Sequence, residues 1–132
     1  MIPKFRAWDT HEEVMNRVDY VDFVNGVIGM SNENVRDYEQ PIHRVNIMQS
    51  TGLKDKNGVE IYEGDILEVE KNEDGTYKGT INGNTFFDRF QGYSSKIKVD
   101  GVHDIYTLRN WNNHVRIIGN IYENPELKEQ NK

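Results

Sequence analysis

The sequence predicts a mostly β protein with little helix, built on the scale of a small barrel or sandwich. Three observations carry that prediction. Several short runs alternate apolar and polar residues, most clearly Leu67 and Val69 against Glu68 and Glu70, and a period of two puts successive side chains on opposite faces of a strand. Glycine-marked turn pairs recur between these runs: Asn25-Gly26, Asn57-Gly58, Asp74-Gly75 and Asp100-Gly101. Finally, residues 48–67 hold two tight turns and a strand, the punctuation of a fold with short strands and frequent corners.

Taken in order, Lys4, Phe5, Arg6, Ala7 and Trp8 alternate as a strand with Phe5 and Ala7 on one face; Trp8 reads as a packing anchor because an indole buries so much area. Residues 10–18 read two ways. Thr10 and Glu13 match a helix capping box, and Val14, Val18 and Val21 fall at helical spacing. Residues 18–24 are nevertheless rich in strand formers, and Asn-Gly between Val24 and Val27 is a strong hairpin signal. Strand, turn, strand over 18–30 is the favoured reading, with a helical turn at 10–15 as the alternative. Residues 31–40 form a polar connection. Pro41 opens a new element, and residues 42–48 read as a strand with Val45 and Ile47 pointing one way.

Gly52 then releases that strand, since glycine takes φ > 0 at no steric cost. Residues 54–58 make a turn on Asn57-Gly58, residues 59–61 are extended, and Glu63-Gly64-Asp65 marks a second corner. From Asp65 the alternation predicts a half-buried strand, with Leu67 and Val69 inward. A hairpin loop at 71–75 leads to a partner strand at 76–81, and Asn82-Gly83-Asn84 turns again. Residues 85–90 carry Phe86, Phe87 and Phe90 and are broken by Gly92. Strands follow at 96–99 and 104–108, joined through Asp100-Gly101. A polar connection around Trp111 precedes the last strand, 115–122, which Pro125 stops. Asn124 then enters the cap of a final turn carrying Leu127. The segment Ile61-Tyr62-Glu63-Gly64 is echoed by Ile121-Tyr122-Glu123-Asn124, which reads as two corners solved alike.

The chain has 132 residues, no cysteine and a net charge of −6. That length can bury a core without staples, and the absence of cysteine excludes disulfides and thiolate metal sites. The first residues lack the apolar core of a signal peptide, and no apolar run reaches membrane-spanning length, so a cytoplasmic location is expected. An acidic total counts against a protein that grips nucleic acid through its phosphates. The nearest basic set is Lys96, Lys98, Arg109 and Arg116, which reads more readily as scattered solvated charges than as one patch.

Three blocks resemble the YopX family of small bacteriophage and prophage proteins of Gram-positive bacteria. They are Phe5-Arg6-Ala7-Trp8-Asp9; Met48-Gln49-Ser50-Thr51-Gly52-Leu53-Lys54-Asp55-Lys56-Asn57-Gly58, continuing through Glu60-Ile61-Tyr62-Glu63-Gly64-Asp65-Ile66; and Ile118-Gly119-Asn120-Ile121-Tyr122-Glu123-Asn124-Pro125-Glu126-Leu127. The resemblance implies a mostly β protein with an SH3-like β barrel in its C-terminal part and N-terminal strands packed against it. The length is that of one domain, so the expectation is a single domain with a strand and hairpin extension at 1–40, the barrel at 41–128 and a frayed tail at 129–132. It implies no catalytic, metal or cofactor residue. Thr51, Gly52, Asp55, Gly58, Gly64, Asp65, Gly119 and Asn120 read on physical grounds as turn and corner residues.

Nothing in the motifs points to catalysis. His11, His43, His103 and His114 form no His-x-His or His-x-x-x-His pair. Ser94, Ser95 and His114 could be assembled with a carboxylate, but no nucleophile motif supports them. No glycine-rich loop precedes a helix to cradle phosphate. Asp55, Asn57, Glu63 and Asp65 lack the spacing of a calcium loop, so turn chemistry is the better reading. The expected function is therefore non-enzymatic, without metal or cofactor. The protein binds a host or phage protein, with Phe86, Phe87, Tyr93 and Trp111 as candidate anchors. The alternative is a nucleic-acid binder using the barrel face near Lys96, Lys98 and Arg116. An exposed edge strand could also pair two copies.

Overall fold

The computed structural model describes residues 4–69, 83–88, 92–99 and 102–129. The expected hairpin loop at 71–75, its partner strand at 76–81, the Asp100-Gly101 turn and residues 130–132 lie outside these. The protein is mostly β, and its helical segments are short. Two compact units, Met1–Ser50 and Thr51–Lys132, divide the chain inside one strand, later than the division at Pro41 that the sequence suggests.

In the first unit, β1 (Phe5–Asp9) pairs antiparallel with β2 (Val14–Asp22) on one side and with β5 (Val45–Lys54) on the other. β2 pairs with β3 (Val27–Ser31), and β3 with β4 (Tyr38–Pro41). Ala7, Ile28, Met30 and Val45 form the core, with Val18, Val21, Tyr38 and Ile42 packed against it. Val18 and Val21 both reach this core because the β2–β3 register shifts between Val18 and Tyr20. The extra residue, Asp19, is a β-bulge, and it converts a period of two into a step of three. The valine spacing that suggests a helix is thus the imprint of a bulged strand. There is no helix at 10–15: residues 10–13 are a turn, and Val14 already begins β2.

Two other expectations change in this unit. Residues 38–40 of the polar connection, together with Pro41, pair as β4. Pro41 ends that strand rather than opening one, and a 3-10 turn, Ile42–Arg44, leads into β5. β5 also does not stop at Gly52. Gly52 sits within the strand at φ +78°, where only a residue without Cβ is unstrained.

In the second unit, β7 (Asp65–Val69), β8 (Gly83–Asp88), β9 (Gly92–Val99) and β10 (Val102–Thr107) each pair antiparallel with the next. β11 (Val115–Asn120) returns to pair with β7, so the order is β10-β9-β8-β7-β11. A helical turn, α1 (Leu108–Trp111), and a 3-10 turn, Asn112–His114, connect β10 to β11. β6 (Glu60–Tyr62) lies beside β5. Ile61, Leu67, Leu108 and Val115 form this unit's core, with Leu53, Tyr93 and Ile117 against it. Ile66 is also buried, so β7 is covered on both faces rather than half-buried. Gly83 and Asn84 belong to β8, and Gly92 begins β9 instead of breaking a strand. The last strand ends at Asn120, and α2 (Pro125–Glu129) follows a turn.

Candidate interaction surface

The polar residues of the family blocks are engaged in holding corners. Asp55 is buried. Its Oδ1 accepts the N–H groups of Asn57 and Val59, both at 2.9 Å, and its Oδ2 accepts that of Ile117 at 3.0 Å. The Lys56 N–H also donates to the Val115 carbonyl at 2.9 Å. The 55–59 turn is thereby tied along β11. Gly58 closes it at φ +83°. Asp65 Oδ2 accepts the Tyr62 N–H at 2.7 Å across the corner at Gly64, and the Thr51 hydroxyl donates to the Ile61 carbonyl at 2.7 Å.

The two echoed corners lie side by side, since Asn120 is in register with Asp65 and the Ile121 N–H donates to the Gly64 carbonyl at 2.9 Å. They are not solved alike. At the second corner the acceptor precedes the turn: Asn120 Oδ1 takes the N–H groups of Tyr122 at 3.0 Å and Glu123 at 2.9 Å. The Asn124 side chain reaches back to the Asn120 N–H at 3.2 Å rather than forward into α2.

The first unit has its own knot. Asp9 is fully buried. Its Oδ1 accepts the N–H groups of His11 and Glu12, and its Oδ2 lies 3.1 Å from the Tyr38 hydroxyl and 3.2 Å from Gln40 Nε2. The capping residue here is Asp9, not Thr10, whose hydroxyl instead donates to the Arg44 carbonyl. Asn16 Oδ1 also approaches the Tyr38 hydroxyl, at 3.0 Å, and accepts from Asn32 Nδ2 at 2.7 Å. Burial pushes the Asp9 carboxyl up, but four hydrogen bonds outweigh it and hold the group below the usual carboxylate range. Burial, with the Asp9 carboxylate alongside, pushes the Tyr38 hydroxyl up to about 12. These arrangements hold turn backbone and neighbouring side chains in place. Among the described residues, no three His, Asp or Glu side chains gather as a metal site.

The sequence-predicted surface residues are only partly brought together. Phe87 and Tyr93 face each other across β8 and β9 and touch edge to face, with ring centroids 5.3 Å apart. Tyr93 is half-buried in the core while Phe87 is 61% exposed. Phe86 lies on β8 and Trp111 ends α1; their side chains are outside the described set. Of the basic residues, Arg116 is bound by Glu68, with Nη2 to Oε1 at 2.6 Å. Arg109 is exposed on α1, and Lys96 and Lys98 lie on β9 opposite Ile105 and His103 of β10.

One surface is absent from the sequence reading. β2 ends at Asp22, so Phe23 and Val24, which look like its continuation, form the turn and stand 82% and 94% exposed. The signal is Asp22 itself: its carboxylate accepts the Val24 and Asn25 N–H groups and the Asn25 side chain, opening an Asx turn before Asn-Gly is reached.

The family described as "YopX protein" matches residues 4–129. A solved structure, "Crystal structure of protein EF1440 from Enterococcus faecalis", is similar at 31% identity and a TM-score of 0.65, over 96% of this chain and 98% of that one. None of the curated proteins matches.

Proposed function

This chain belongs to the YopX family, and from that premise we propose that it is a phage- or prophage-encoded accessory protein of the bacterial cytoplasm that acts by binding another protein. It is non-enzymatic, a reading supported by the buried carboxylates of the described residues: Asp9, Asp55 and Asp65 each accept backbone N–H groups at a turn. The second unit is an SH3-like barrel. That reading is supported by four strands in antiparallel succession, a helical turn, and a fifth strand that returns beside the first. No described helix is long and apolar enough to cross a membrane.

The observation that carries the binding role is Phe87. An aromatic ring held edge-on by a half-buried tyrosine, yet 61% exposed, has the form of an interface anchor. The nucleic-acid alternative is weakened because the Arg116 guanidinium is already satisfied by Glu68. The test is capture from host lysate by the full chain and by Phe87→Ser. The reading expects a protein that the wild type retains and the variant loses. Equal retention by both, or DNA or RNA binding that falls steeply with added salt, would overturn it.

A further inference from the structure

We propose that the 55–59 turn guards the edge of β11, and that β11 pairs with β11 of a second copy of this chain when the guard is released. The surface belongs to the second unit, and its existence does not depend on the role of Phe87.

Among the described strands β11 ends its sheet, with β7 on one side only. An edge strand turns every second residue's N–H and C=O away from its neighbour, and such a row is a template for another chain. β11 has no proline, and Arg116 is its one charged residue, so its own sequence does little to discourage pairing. The row is covered from outside instead. The Val115 carbonyl accepts the Lys56 N–H at 2.9 Å, and the Ile117 N–H donates to Asp55 Oδ2 at 3.0 Å. The register shift between Ile117 and Gly119 moves the next outward position to Asn120. There the Asn124 side chain accepts the Asn120 N–H at 3.2 Å, and the Asn124 N–H donates to the Asn120 carbonyl at 2.9 Å. The cover at Asn120 is local. The cover at Val115 and Ile117 reaches across 62 residues of sequence and rests on one carboxylate. Asp55 Oδ1 shapes the turn by accepting the Asn57 and Val59 N–H groups, while Oδ2 docks it. Loss of that side chain undoes turn and cover together.

The covered groups name their own occupant. An acceptor at Val115 and a donor at Ile117 face the same way on either side of Arg116. They are each other's partners across a two-fold axis at Arg116. Two antiparallel copies of β11 centred there set Val115 of one opposite Ile117 of the other, and each such pair exchanges its N–H and C=O groups. The carbonyl released by Lys56 then accepts the N–H released by Asp55, once from each copy. Val115 and Ile117 are both β-branched strand formers, suited to lie opposite one another. The axis brings two Arg116 side chains together, and each arrives already bridged by its own Glu68, with Nη2 to Oε1 at 2.6 Å.

The test is sedimentation and amide hydrogen exchange on the full chain, with two variants that weaken the guard. Asp55→Ala removes the docking carboxylate. Gly58→Val strains the turn at φ +83° without touching β11, and an added Cβ there meets nothing within 4 Å, so this variant keeps its fold should Asp55→Ala lose it. The proposal expects a monomeric wild type and variants that dimerise with a dissociation constant of about 0.1 mM, at least roughly tenfold tighter than wild type. The Ile117 amide should exchange fast in a dilute variant and slow as its concentration rises. Ile117→Pro added to either variant removes an N–H that points away from β7, and it should restore the monomer. Any of five results would overturn the proposal: a variant that stays monomeric although its Ile117 amide exchanges fast, an Ile117 amide as slow in both dilute variants as in wild type, a dimer whose Ile117 amide stays fast, a dimer that survives Ile117→Pro, or a wild type that dimerises as tightly as the variants.

Discussion

Asp55 holds three backbone N–H groups from two stretches of chain, its own turn and β11, with one carboxylate. Asp55→Ala leaves all three donors without that acceptor in a buried place, which should lower stability by about 2–4 kcal/mol. Asp55→Asn keeps one oxygen and presents an N–H₂ to a donor, so it should be only slightly better. Urea midpoints for the two variants check this, and a loss within 0.5 kcal/mol of wild type would show that the turn is held elsewhere. Asp9 makes a prediction in pH. Its folded-state carboxyl lies below the ordinary value, so the stability it contributes is present above about pH 4 and is lost as pH falls further through the folded value. Stability should therefore be level from pH 7 toward 5 and drop below 4, and Asp9→Asn should flatten part of that drop. Tyr38 has the opposite sign. Its hydroxyl is raised to about 12, so its share of stability is whole below about pH 10 and disappears as pH climbs through 12. An ultraviolet titration should lose one tyrosine ionising near pH 12 in Tyr38→Phe.

At the scale of elements the β2–β3 hairpin shows how one bulge organises a surface. The shift at Asp19 brings Tyr20 opposite Gly29, and the ring lies so close that a Cβ on Gly29 would clash with Tyr20 Cε1. Gly29→Ala must displace the ring and its hydrogen bond to Glu39. Because the ring is half exposed and can swing aside, the change should destabilise the protein by only about 1 kcal/mol. In the Tyr20→Ala background the same change should be much milder, and a double-mutant cycle by urea unfolding measures the difference; strict additivity would mean that ring and glycine are not coupled. This hairpin also marks where the sequence is legible. Asn25-Gly26 and Asn57-Gly58 announce their turns because the requirement for φ > 0 is local. The bulge is not announced, since Asp19 becomes the extra residue only through its partner strand, and valines at helical spacing then mimic a helix. β4 is hidden for a similar reason. Glu39 and Gln40 are ordinary loop residues, and only pairing with β3 makes them a strand. Phe23 and Val24 are read as strand because β-formers in an extended run and in an Asx turn look the same until the Asp22 hydrogen bonds are seen. The corners of the family blocks were readable as corners, whereas the backbone groups that Asp55 and Asp65 would hold were not.

At the scale of the molecule each unit has a core of its own: Ala7, Ile28, Met30 and Val45 in one, Ile61, Leu67, Leu108 and Val115 in the other. β5 belongs to both, since Phe5 to Asp9 of β1 pair with its first half and the division falls after Ser50. A cavity in one core should then be felt first by the strands that line it. Ile28→Ala and Leu67→Ala each remove a fully buried side chain and should each cost about 2–5 kcal/mol. In native-state hydrogen exchange Ile28→Ala should speed the amides of β2 and β3 and spare those of β7 and β11, and Leu67→Ala should do the reverse. β5 is the strand to watch, because its amides on either side of Ser50 should follow different variants. If instead both substitutions accelerate every slow amide by the same factor, the two cores unfold as one cooperative body, and a strand shared between them is enough to make them do so.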